Sequence, residues 1–428
     1  DAELMENVGK HLFLNVESYP NYFLLTFKLV NTNKFLIMEC GEGRTFNTKQ
    51  LSWILHNYIT VGFNSIKFDM LLIWLAYSNQ DPAILKDASD ALILRGMRKK
   101  ELQKEFCVLS GVTDHIDLIE VAPRKGSLKL YGARLHTKSI QEQPFDINAD
   151  LTEFEINELK HFNFKQLDIT EELFHFMKER LDLRSAMVIE YNENLMSKSD
   201  AQIAEVVIAK EVGKINGKRP QKPEIPEGTT FNYKAPAYLN YQTQPLQDML
   251  ARIKKAKFVV NMNGKVNLPE ELKSTIQIGK GIYRLGIGGL HSSEETISYF
   301  SNEDEEIVDD DVTSYYPRII TTLGLYPMAM GPAFLQAYTR IIDTRLEAKK
   351  KKIFSRDKGL KIVINGTSGK FSDFYSTMYD PSLTIQVTVT GQLALLMLIE
   401  ILELSGIPVI SANTDGIVKL VKKDKEDA

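Results

Sequence analysis

Two apolar strands that each carry an acid at their end or turn, with strongly basic helices between them, constrain this chain more than any other feature. The segments are Asp311-Val-Thr-Ser-Tyr-Tyr-Pro317, Lys361-Ile-Val-Ile-Asn-Gly-Thr-Ser-Gly369 and Asn413-Thr-Asp-Gly416. Two carboxylates brought together beside a cationic helix are what a two-metal phosphoryl-transfer site needs.

Bulk properties narrow the setting. A length of 428 residues suggests about three domains at roughly 150 residues each. A net charge of −4 means that any polyanion site must come from local clustering. The two cysteines, Cys40 and Cys107, provide neither a disulfide framework nor zinc spacing, as expected in a reducing compartment. No apolar run reaches the roughly 18 residues of a membrane span. The nearest, 391–403, is short and contains Glu400. The chain starts at Asp1 without a signal pattern, so its start is expected to have been trimmed.

Residues 11–17, 22–30 and 35–39 read as strands, 48–59 as a helix and 60–63 as a strand. A loop follows at 64–69, then an apolar helix from Met70 and a strand over 115–121. Antiparallel strands followed by alternating helices and strands predict an α/β unit with a mixed sheet. Glu17 and Asp69, each taken alone, read as ordinary turn and cap residues.

Their order with Asn64-Ser-Ile-Lys-Phe-Asp69 and a later helix resembles the 3′–5′ exonuclease domain of family B DNA polymerases, which has a ribonuclease H-like fold. That family binds two metals through Asp-x-Glu, Asn-x-x-x-(Phe/Tyr)-Asp and Tyr-x-x-x-Asp. The corresponding positions here are Asn15-Val-Glu17, Asn64…Phe68-Asp69 and Phe162…Gln166. The resemblance therefore implies an exonuclease site of Asn15, Glu17, Asp69 and Gln166. Asp168 lies about 200° round the helix from Gln166 and is expected to face away. Asn and Gln keep a carbonyl oxygen but lose the charge, so the exonuclease is expected to be absent or very weak.

Residues 151–212 read as helical, Lys214–Pro226 as a Pro-rich linker and 240–256 as amphipathic. Tyr283-Arg-Leu-Gly-Ile-Gly-Gly-Leu-His-Ser-Ser-Glu294 reads, by itself, as a tight strand turn. It resembles the Tyr-x-Gly-Gly segment of protein-primed and related phage polymerases. That resemblance makes Gly288, Gly289 and His291 candidate DNA contacts.

In the last third, alternation along a strand at 307–314 puts Asp309 and Asp311 on one face and Asp310 on the other. Residues 333–353 and a second helix after a turn at 355–359 form a basic hairpin. Arg345 and Lys349 share a face, as do Lys361 and Asn365. A basic helix alone is usually a solvated face. Residues 384–405 read as a long helix, and 407–422 as two strands around a turn.

These segments resemble motifs A, B and C of family B DNA polymerases. Asp311…Ser314-Tyr315-Tyr316-Pro317 matches Asp-x-x-Ser-(Leu/Tyr)-Tyr-Pro. Motif B, Lys-x-x-x-Asn-Ser-x-Tyr-Gly, is met at Lys361, Asn365 and Gly369, with Gly366 for Ser and Ser368 for Tyr. Motif C, Asp-Thr-Asp-Ser, becomes Asn413-Thr-Asp415-Gly416. The resemblance implies that Asp311 and Asp415 are the catalytic residues and hold two Mg²⁺ ions, with Mn²⁺ as an alternative. It implies nucleotide binding by Ser314, Tyr316, Arg345, Lys349, Lys361 and Asn365, with Tyr316 under the sugar.

The expected fold class is α/β (α+β). A ribonuclease H-like exonuclease domain (1–200) precedes a connector and start of palm (201–300). Palm (301–330), fingers (331–376) and palm again (377–428) follow. A thumb is expected beyond the present end. The implied activity is DNA-directed DNA synthesis of phage type. Primer–template DNA, dNTPs and replication accessory proteins are the partners; no membrane is involved, and the location is cytoplasmic. The alternatives are a non-catalytic DNA-binding protein descended from a polymerase, or mainly a 3′–5′ exonuclease.

Overall fold

Alternation along β1 (His11–Ser18) turns Leu12, Leu14 and Val16 to one face of a sheet and Phe13, Asn15 and Glu17 to the other. The computed structural model describes residues 6–108, 111–293 and 297–423. It is mixed α/β, about 46% helix with three sheets. The chain divides into two compact units, Asp1–Ser199 and Asp200–Ala428.

In the first unit β1 pairs antiparallel with β2 (Phe23–Leu29), which pairs antiparallel with β3 (Phe35–Cys40). On its other edge β1 pairs parallel with β4 (Ile59–Gly62), and β4 with β5 (His115–Asp117). The order is β3-β2-β1-β4-β5. One face is covered by α1 (Thr48–Asn57), α2 (Asp69–Ser78), α3 (Pro82–Ile93) and α4 (Lys99–Glu105). Leu51, Ile54, Leu72, Leu75 and Leu85 bury there against Leu12, Leu14 and Val16.

The strand expected over 115–121 stops at Asp117. Asp117 accepts from the backbone N–H of Ile119 and so caps α5 (Leu118–Val121), which diverts the chain. Next come α6 (Leu128–Leu135), α7 (Glu153–Phe176) and α8 (Lys178–Tyr191). A capping box at Thr152 and Glu155 starts α7. This helix lies over the other sheet face, with Leu159 and Phe162 near Leu24, and Leu167 and Leu173 near Phe13.

The second unit opens with α9 (Asp200–Asn216), so the helix runs past Lys214 and the expected linker begins later. Residues 201–300 belong to this same compact unit. α9 packs against α12 (Ala333–Lys350) and α13 (Phe354–Gly369). A Cβ on Gly366 would meet the Ala204 Cβ and the Asp200 carbonyl oxygen, both at 2.9 Å. Gly366 thus lies where two helices nearly touch. The hairpin reverses at Lys351–Ile353, with Lys352 at φ 57°, and not at 355–359. Asp357, in the first turn of α13, favours the helix there through its charge and its pairing with Arg345.

A two-stranded ribbon, β6 (Thr230–Asn232) and β7 (Lys257–Val259), flanks α10 (Gln244–Lys255). The main sheet of this unit contains β8 (Ile276–Ile278), β9 (Gly281–Arg284), β10 (His291–Ser292), β11 (Glu305–Asp311), β12 (Val409–Asn413) and β13 (Gly416–Lys422). Its order is β11-β13-β12-β10-β9-β8. Between strands β11 and β12 the chain also forms α11 (Tyr315–Thr322) and α14 (Pro381–Leu404).

Ile385, Val389, Leu393, Leu396 and Ile399 of α14 share a core with Val409, Ala412 and Ile417 of the sheet. At 24 residues α14 is longer than the apolar run read from sequence. Among the described residues it alone is long and apolar enough to cross a membrane by length and composition. Its most apolar window is 61% buried within the protein. Glu400, also buried, accepts from the backbone N–H groups of Gln242 and Thr243 and from the Thr243 hydroxyl.

Candidate active site

The apolar strands of the second sheet position its acids. β11 and β13 are antiparallel, with Asp311 opposite Gly416 and Asp310 opposite Ile417. The Val312 N–H donates to the Asp415 carbonyl at 2.8 Å, which ties the end of one acidic segment to the turn of the other. The turn is tight. Thr414 has φ 57°, and the Asp415 N–H reaches the Asn413 carbonyl at 2.6 Å. Asp310 points to the opposite face and pairs with Lys419 at 3.0 Å, as strand alternation requires.

Asp311 and Asp415 are exposed, and neither has a cationic partner among the described residues. Asn413 is exposed beside them, and its side-chain oxygen accepts from the Thr414 hydroxyl at 3.1 Å.

The glycine segment arrives through β10. His291 pairs with Asn413 on one side and Arg284 on the other. The Thr414 N–H donates to the Leu290 carbonyl at 2.8 Å, and Gly289 lies against Thr414, where a Cβ would come within 3.0 Å. A Cβ on Gly286 would meet the Gly289 carbonyl at 2.8 Å, so the segment is the tight turn its composition predicts. Gln392 of α14 holds that turn with two bonds, accepting from the Gly286 N–H and donating to its carbonyl, both at 2.9 Å. Glu294 lies outside the described residues.

Tyr316 completes the group. Ser314, at φ 54°, turns the chain from β11 into α11 and sets Tyr315 and Tyr316 at its start. The Tyr316 hydroxyl donates to the Gly288 carbonyl at 2.7 Å. Burial, and then the charge of Asp415, push this phenol up to about 12, so it stays a donor. Asp311, Asp415, Tyr316, Gly288, Gly289 and His291, expected from three separate segments, are thus linked by sheet register and hydrogen bonds.

The basic hairpin contributes differently. Lys361, Asn365 and Gly369 lie on one exposed face of α13, and Lys349 is exposed on α12. Arg345 is committed elsewhere, since its Nε bonds Asp357 Oδ1 at 3.0 Å and braces the two helices. Arg340 pairs with Glu211 of α9.

Two hard carboxylates without counter-cations suit Mg²⁺, which is commonly bound through one or two carboxylates with water and phosphate oxygens in its other positions. Among the described residues no three His, Cys, Asp or Glu side chains gather as a metal-binding group.

In the first unit a second group of acids is enclosed, with Asp69 and Asp117 buried and Glu17 half-buried. Asp69 Oδ1 accepts from the Val16 N–H at 2.9 Å. Glu17 accepts from Asn15 Nδ2 at 3.3 Å and Gln143 Nε2 at 3.1 Å. Gln143 also donates to the Tyr19 hydroxyl at 2.8 Å. Burial raises both Glu17 and Asp69 to about 7.

Asp117 is raised too, chiefly by burial, although the N–H groups of Asn64, Ile66 and Ile119 oppose this. Gln166 is buried on α7 with its Nε2 unpartnered, and the amide of Asn163, one turn earlier, has no partner at either end. Asp168 faces away and pairs with Lys28, as helix geometry predicts.

Asp117 and Gln143 were not legible as members of this group, since their contacts span long sequence separations. Gln392 had only a faint signal: it follows a glycine inside a helix that also carries Thr384, Gln386, Thr388 and Thr390. No protein-family model matches this chain, and no curated protein matches it.

Proposed function

We propose that the chain is a family B-type DNA polymerase, adding dNTPs to a primer 3′-end at Asp311 and Asp415. The observation that carries this reading is the junction of β11 and β13, where two acids distant in sequence meet at adjacent strand ends with Tyr316 and the glycine turn beside them. The six-stranded sheet backed by α14 is read as the palm, and α12 and α13 as the fingers. The β3-β2-β1-β4-β5 sheet supports a ribonuclease H-like reading of the first unit.

Asp311 and Asp415 would hold Mg²⁺, which supplies activation of the primer hydroxyl and neutralisation of the leaving pyrophosphate. Tyr316 offers its ring to the nucleotide sugar. Lys349 and Lys361 offer charge to the triphosphate, a stabilisation that grows as negative charge develops. Template contacts would be mainly electrostatic and therefore salt-sensitive.

The first unit is read as an exonuclease domain without effective hydrolysis. The Asn15 amide donates to Glu17, where a metal ligand would have to present negative charge. Primer extension by the full chain with Mg²⁺ and all four dNTPs tests the proposal. Extension is expected in the wild type and lost in Asp311→Ala, with no shortening of the primer when dNTPs are omitted. Full activity in the variant, or no incorporation by the wild type, rejects it.

A further inference from the structure

Gly391 sits inside α14, where alanine would favour the helix by roughly 1 kcal/mol. Its surroundings explain the absence of a side chain. A Cβ there would lie 2.9 Å from Tyr316 Cε1 and 3.2 Å from Tyr315 Cε1. The two rings stack with centroids 5.7 Å apart, and the Tyr315 hydroxyl donates to the Gly391 carbonyl at 2.5 Å. At its far end the Tyr316 hydroxyl is tied to the Gly288 carbonyl. The ring is therefore seated on one glycine and tethered to the backbone of another.

We infer that Gly391 is a positioning residue which, with the Gly288 carbonyl, sets the height of the Tyr316 ring and thereby selects the sugar of the incoming nucleotide. This rests on the polymerase reading above. A methyl at 391 has no room beneath the rings, so the Tyr316 ring must lift toward the nucleotide. A ribose, with one more hydroxyl than deoxyribose, suffers more from that lift. Losing the tether has the opposite effect, because the ring can then tilt away.

The test compares kcat and KM for dCTP and CTP in the full chain. Gly391→Ala is expected to raise KM for both, more for CTP, and to increase discrimination about tenfold, the size of effect one small group has in a fitted pocket. Tyr316→Phe keeps the ring, breaks the tether and is expected to lower discrimination. In a Tyr316→Ala background the Gly391→Ala change should leave the dCTP-to-CTP ratio unaltered, since there is no ring left to lift.

A merely structural glycine would lower stability and kcat without moving the ratio. An unchanged ratio in both Gly391→Ala and Tyr316→Phe, or an equal shift in the background lacking the ring, overturns the inference alone. Should Gly391→Ala fail to fold, Tyr316→Phe decides, and unchanged discrimination there overturns it. A wild type that uses neither dCTP nor CTP overturns the polymerase reading and this inference with it.

Discussion

Gly416 faces Asp311 across the sheet so closely that a Cβ would lie 2.2 Å from the Asp311 Oδ1. Gly416, which stands where motif C of the proposed family has serine, is thus matched to the position of the carboxylate. Gly416→Ser restores the motif and yet displaces the acid, and misplacement by about 1 Å costs about 10²-fold in rate. Single-nucleotide incorporation across a Mg²⁺ series checks this, and wild-type rates in the variant would contradict it.

Burial has a different consequence for Glu17 and Asp69, both raised to about 7. A carboxyl that holds its proton longer when folded favours the folded state below its unfolded pKa. Stability should therefore decline as pH rises from 3.8 for Asp69 and 4.5 for Glu17 to about 7, and level off above that. Glu17→Gln removes one of these titrations. Its melting temperature should fall less steeply over that window than that of the wild type, and parallel slopes would count against the account.

At the scale of elements, Arg345 and Lys349 share a helix but not a role. Arg345 joins α12 to α13 through the partly buried Asp357, whereas Lys349 is exposed. Arg345→Ala should cost about 1–2 kcal/mol in urea unfolding. Lys349→Ala should stay within about 0.5 kcal/mol and instead weaken dNTP affinity. The opposite pattern would mean that Lys349 braces the hairpin and Arg345 meets the nucleotide.

Elements with strong local signals were legible. Alternation and turn residues marked β1 to β3, and the Asp-Gly pair marked the turn between β12 and β13. Where a signal depended on a distant partner it failed. Asp117 ends a strand by capping a helix, Lys352 takes the left-handed turn ahead of the expected loop, and α9 joins the hairpin through Gly366.

At the scale of the molecule, both units place acids where strands meet loops or helices, but their electrostatic settings differ. In the first, Glu17 and Asp69 are enclosed and hydrogen-bonded to an amide or the backbone. In the second, Asp311 and Asp415 are open to solvent and to a cation. The grouping of the two acidic segments was legible because each acid sits at the end or turn of an apolar strand. The link from Asp415 to the Val312 N–H, and the seat of Tyr316 on Gly391, required the folded sheet and α14.

The central claim is that Asp311 and Asp415 act as one unit. Single-turnover primer extension with Mg²⁺, comparing wild type, Asp311→Ala, Asp415→Ala and the double variant, tests it most directly. Residues that work together are grossly non-additive, so each single change should cost about 10³-fold or more and the double change no more than the worse single one. Losses that multiply in the double variant, or either single variant extending primer at the wild-type rate, would contradict a shared site.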